Sequence, residues 1–194
     1  MAKSEHYSEP LHYWILGMPY LRLAEGCCAQ IVAARNPLTE STPRSGIDWI
    51  EYDDQLVWSG HGIGIPVLFS FYHGIELLLK GFVAVYSPVP STHSLTRLLE
   101  MVAERHPESD FVRLVEEDAL GAAPYAPVGR FLKKNGLTID SWYEALRYPE
   151  SKQGRVFDQL DIKFGGLHLW ESVGRTAAAL ADAADDLAVT TGLT

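Results

Sequence analysis

The stretch "FYHGIELLLKGFVAVYSPVPSTHSLTRLLEMV", residues 71–102, decides the architecture. It opens as an apolar helix carrying three ionisable side chains, His73, Glu76 and Lys80, then turns through Pro88 and Pro90 into a second helix start. At about 100° per residue, positions 73, 76 and 80 fall within roughly 60° of one another, a narrow polar seam on an apolar rod. Glu76 preceding Lys80 by four residues is the favourable order for an ion pair, worth about 0.3–0.5 kcal/mol when exposed. A seam this narrow makes a poor solvent face, because its apolar neighbours would stay wet. The expectation is a partly buried network that ties the helix to its neighbours, with His73 as a structural histidine. After the prolines, Thr92 or Ser94 is placed to cap a helix running to Glu104, with Leu95, Leu98, Leu99 and Val102 on its buried side.

The flanking sequence extends the helical pattern. In "PYLRLAEGCCAQIVAARNP", residues 19–37, Leu21, Ala24, Cys28, Ile31 and Val32 recur at helical spacing and Pro19 suits a first helical position. "LHYWILGM", residues 11–18, reads as an earlier turn set apart by Gly17 and Pro19. From 36 to about 64 the helical period disappears. Two short extended runs there, Asp48 to Tyr52 and Gln55 to Trp58, predict a small β-hairpin insert near 47–58. "GHGIGIP", residues 60–66, has the glycines of a phosphate loop but neither its lysine nor its hydroxyl, and reads as a helix lead-in. A long helix is predicted from 66 to 86, with Gly74 and Gly81 one heptad apart, allowing close approach of a neighbour. Shorter helices follow over 110–117, 128–135 and 140–147. A final helix over 167–189 buries Leu167, Trp170, Val173, Ala177, Leu180, Ala181, Ala184 and Leu187. The fold class is therefore all-α: a four- or five-helix antiparallel bundle with short accessory helices. The 194 residues form one domain, 1–194, with an inserted loop or hairpin at about 36–64.

Composition bounds the function. The chain is 47% hydrophobic and 21% charged, which suits a packed core. A net charge of −9 argues against a DNA coat role. The charge is uneven, however. Residues 130–163 hold seven basic side chains against five acidic, so that stretch is +2 and the remainder −11. Such a basic face on an acidic protein suits a phosphate or an acidic partner. Cys27 and Cys28 are adjacent and suggest neither a disulfide framework nor a zinc site. His73, Glu76 and His93 together lack a recognised metal-ligand spacing, and no G-x-S-x-G marks a serine nucleophile. No metal or other cofactor is expected. Nothing at the N-terminus has the layout of a secretory signal, and no run approaches about 20 uninterrupted apolar residues. The expected location is the cytoplasm, without a membrane role.

The order of these features resembles the HEPN domain superfamily, the helical "higher eukaryotes and prokaryotes nucleotide-binding" domains. The resemblance is carried by His73, Glu76 and Lys80 as His-x-x-Glu-x-x-x-Lys, by the turn into His93-Ser94-Leu95, and by the junction Arg147-Tyr148-Pro149. It covers residues 66–104 and 141–150. It implies a helical bundle, commonly a homodimer, often in defence or toxin–antitoxin settings. Many such proteins are metal-independent ribonucleases built on Arg-x(4–6)-His, but here no arginine has a histidine five to seven positions downstream. The function expected is thus a non-catalytic binding module that engages a protein partner, RNA or a nucleotide. Its ligand contacts would come from His73, Glu76, Lys80, His93, Arg147, Tyr148, Lys152 and Arg155, with no catalytic residue assigned. Two alternatives stand beside it. One is a divergent HEPN ribonuclease using Arg147 with His73 or His93. The other is a purely structural dimerisation protein using the 36–64 arm.

Overall fold

A computed structural model of the chain describes residues 9–37, 54–121, 126–151 and 153–193. It is all-α: among the described residues the only β pairing is a single antiparallel bridge between Glu150 and Val156. The elements are α1 (Pro10–Ala33), α2 (Asp54–Val57), α3 (Gly60–Tyr86), α4 (Leu95–Ala103), α5 (Asp110–Leu114), α6 (Ala126–Asn135), α7 (Ile139–Ala145), α8 (Leu160–Lys163) and α9 (Leu167–Thr191). A wider π turn, Val115–Ala119, continues α5.

The three long helices α1, α3 and α9 pack on one another. A Cβ on Gly17 would meet Leu78 Cγ at 2.9 Å and Gly74 O at 3.1 Å, and one on Gly81 would meet Pro10 O at 3.3 Å. Falling numbers in α1 thus face rising numbers in α3, so the two run antiparallel. Gly74 and Gly81 do what their spacing suggested and let α1 approach closely. α9 is antiparallel to α1 by the same logic, since a Cβ on Gly174 would lie 3.1 Å from Cys28 and Arg22 pairs with Asp182. α4 lies on α3 with Leu95, Leu98, Leu99 and Val102 buried, and Ser94 is its cap, accepting from Arg97 N at 3.1 Å. Length and apolar composition alone would let α3 cross a membrane, yet most of that stretch is buried against the other helices.

Three expectations change. α1 begins at Pro10, not Pro19, and Pro19 sits inside it. Pro19 forfeits one backbone bond on an exposed position, while Gly17 and Met18 before it and Leu21 after it are buried and hold the chain helical on either side. α3 likewise begins at Gly60, so "GHGIGIP" is its first two turns. Ser59 Oγ accepts from Gly62 N at 3.0 Å, and the buried Asn36 accepts from Gly60 N at 2.8 Å while donating to Gly165 O at 2.6 Å. Finally, the second half of the predicted hairpin is the helical turn α2, whose Leu56 carbonyl accepts from Ser59 Oγ at 2.7 Å. That capping cluster makes the segment turn into α3 instead of pairing as a strand. The other half, 48–52, lies outside the described residues.

Candidate functional site

The polar seam of α3 is a real cluster, and its centre is buried. Glu76 is 1% exposed. Its Oε1 accepts from Lys80 Nζ at 2.6 Å and lies 2.8 Å from His93 Nδ1, and its Oε2 is 3.7 Å from His73 Nδ1. A carboxylate so buried requires a paired cation, and Lys80, with a side chain 13% exposed, supplies it. His93 comes from the α3–α4 connection, so the seam ties α3 to its neighbour as the sequence suggested. Glu76 and Lys80 together form an internal pair that positions what surrounds them.

The exposed groups stand around that pair. His93 is 63% exposed and approaches the carboxylate through Nδ1. A carboxylate only accepts, so Nδ1 donates and Nε2 is the ring's remaining nitrogen. His73 is boxed by aromatic rings: Phe69 stacks on it at 5.4 Å and Tyr20 of α1 meets it edge-on at 4.7 Å. The Arg147 guanidinium lies 5.8 Å from the Phe69 ring centre, within cation–π range. Arg147, from the end of α7, is thereby brought to the same edge as His73, about 74 positions earlier in the chain.

Tyr148 and Arg155 occupy a neighbouring site. They border a cavity of about 780 Å³ shared with Asn135, Glu150 and Phe157. Tyr148 is 60% exposed, and Arg155 Nη2 donates to Lys134 O at 3.4 Å. Seven of the eight predicted positions are described, and they divide in two. His73, Glu76, Lys80, His93 and Arg147 meet at the α3 seam, Tyr148 and Arg155 line the cavity, and Lys152 lies outside the described residues. Arg147 and Tyr148, consecutive in the chain, join the two sites.

Other reactive groups are held quiet. Burial, with a smaller contribution from Cys27, pushes the Cys28 thiol up to about 12, and burial also raises Cys27, so neither supplies a thiolate nucleophile at neutral pH. Burial and then the charge of Lys163 push His61 below the ordinary imidazole value, leaving it neutral at pH 7. No group of three or more His, Cys, Asp or Glu among the described residues is arranged to hold a metal ion. Sequence reasoning missed Phe69 and Tyr20 as parts of the site. Phe69, four positions before His73 and on the same face, was the available signal. In comparisons with protein-family models, with curated proteins and with solved structures, nothing matches this chain.

Proposed function

We propose that this chain is a HEPN-like binding module that engages an RNA strand through its phosphates and unstacked bases, without cleaving it. One observation carries the reading: Arg147 lies over Phe69, Phe69 lies over His73, and His73 faces the buried Glu76–Lys80 pair. A cation beside half-buried aromatic rings on one edge suits a single strand, since the cation meets the phosphate and a base packs against what the rings leave exposed. The basic excess of residues 130–163, where Arg147 sits, supports it within an otherwise acidic protein. The HEPN-like order of His73, Glu76, Lys80, His93 and Arg147 supports it independently, and with it a cytoplasmic setting.

The test is fluorescence anisotropy with a labelled single-stranded RNA at several salt concentrations. Arg147→Ala is expected to weaken binding about tenfold, uniformly across sequences, and to lower the salt slope by about 1. Binding unchanged by Arg147→Ala would overturn the reading.

A second reading, a divergent ribonuclease, is favoured by one feature. His93 Nδ1 lies 2.8 Å from the Glu76 carboxylate, and with Nδ1 donating there Nε2 is the nitrogen left to act as a base. On the reading preferred here, RNA incubated with the folded protein survives with and without EDTA. Cleavage that persists in EDTA and disappears in His93→Ala would establish the second reading instead.

A further inference from the structure

We propose that the cavity between the end of α6 and the paired residues 149–151 and 154–157 is a pocket for a guanine base, with the attached phosphate held by Arg155. The inference deepens the RNA-binding reading and rests on it for its biological use, although the pocket's chemistry stands by itself.

The first argument is that the pocket is built in advance. Its volume of about 780 Å³ falls within the roughly 300–1,000 Å³ of small-molecule sites. One wall is the pairing of residues 149–151 with 154–157, which braces itself. Phe157 N donates to Pro149 O at 2.9 Å, Ser151 N donates to Arg155 O at 2.8 Å, and Ser151 Oγ accepts from Arg155 N at 3.1 Å. The opposite wall is the end of α6. There the buried Asn135 donates to Asp158 O at 3.0 Å and accepts from Asp158 N at 2.9 Å, and Gly136 turns the chain at φ 63°. Walls tied in this way lose little freedom when a ligand enters.

The second argument is the lining. Tyr148 offers a largely exposed ring for stacking. Arg155 and Glu150 border the same cavity, and neither forms an ion pair among the described residues, whereas Arg22, Arg97, Arg113 and Arg130 all do. A simple anion would meet Arg155 but be repelled by Glu150. A simple amine would meet Glu150 but be repelled by Arg155. A ligand with a flat body, an anionic group and adjacent hydrogen-bond donors satisfies all three side chains. An ionised carboxylate only accepts, through two oxygens. Guanine alone among the common bases presents two neighbouring donors, N1–H and the N2 amino group, on its pairing edge. Adenine and cytosine set a donor beside an acceptor, and uracil sets one donor between two acceptors. Glu150 therefore selects guanine.

The experiment is calorimetric titration of the full chain with GMP, AMP, CMP and UMP at fixed salt. GMP is expected to bind about tenfold tighter than AMP, equivalent to about 1.4 kcal/mol. Glu150→Gln should remove that preference, because the amide sets a donor against guanine's donors, and Arg155→Ala should weaken all four nucleotides. Both side chains are exposed, and circular dichroism will show that the variants fold. Four equal affinities, absent GMP binding, or a GMP preference that survives Glu150→Gln would each overturn the pocket. Titrating the unsubstituted chain with single-stranded RNA beside GMP separates the two readings. GMP binding retained where no RNA binding is found sinks the RNA reading and upholds the pocket, and RNA binding without base preference does the reverse.

Discussion

Glu76→Leu is expected to lower the stability of the protein by about 3 kcal/mol or more, because it strands the Lys80 ammonium in a largely buried position without its carboxylate. For a chain of this length that is about 6–12 °C in Tm, read by circular dichroism on heating. Leucine nearly preserves volume, so the loss reports charge and hydrogen bonding more than a void. Lys80→Met alone should cost a comparable amount, since it leaves the carboxylate unpaired by a cation. The double variant Glu76→Leu/Lys80→Met should recover most of the loss, because replacing both members of a buried pair by apolar groups is often close to neutral. A single variant within 1 kcal/mol of the parent, or a double variant worse than either single, would show that the pair does not sustain the fold. The double variant has a further use. It removes the anchor of His93 Nδ1 and of His73 while keeping the helix, so RNA binding measured on it reports how far the pair positions the exposed edge.

The fold was readable wherever one helix face alone had to be buried. α4 and α9 follow their apolar stripes closely, and the paired glycines of α3 announced the close crossing with α1. The misreadings fall where backbone rules and tertiary packing disagree. Pro19 and Pro66 both signalled helix starts, and both lie inside longer helices, α1 and α3. At each, the energy of the buried residues on the N-terminal side outweighs one lost backbone bond. Gly60 and Gly64 were read as part of a helix lead-in, but they are the surface on which Trp170 rests. The α2 turn was misread because it runs into the capped start of α3, where Ser59 bonds back to Leu56 and Asn36 holds Gly60 from 24 residues away, a partner that a local pattern cannot show. The seam was legible because its three members share one helix. Its link to Arg147 was not, since a guanidinium stacked over Phe69 depends on how α7 returns to α3.

The crossing of α3 and α9 offers the second large effect, and it reverses the usual expectation for glycine. In a helix interior, glycine to alanine ordinarily gains about 1 kcal/mol by restricting the unfolded chain and improving helix propensity. Gly26 in α1 should behave in this way, because a Cβ there meets nothing within 4 Å. Gly64 should do the opposite. Its Cβ would lie 2.6 Å from Trp170 Cη2 and 2.8 Å from Cζ2, and the indole is fully buried with Gly60 against its other atoms. A rigid ring in a packed interior cannot move aside as a flexible side chain would, so Gly64→Ala is expected to lose about 2 kcal/mol net through overpacking. Urea unfolding of the two alanine variants should therefore shift in opposite directions. Trp170→Phe placed in the Gly64→Ala background should return part of the loss, because the smaller ring leaves room for the methyl group. If Gly64→Ala proves neutral or stabilising, the indole is not held where this packing puts it, and the entry of α3 into the core would need another support. If the opposite shifts and the partial recovery both appear, then the glycines of "GHGIGIP" are there for Trp170, which accounts for a phosphate-loop pattern that has no lysine.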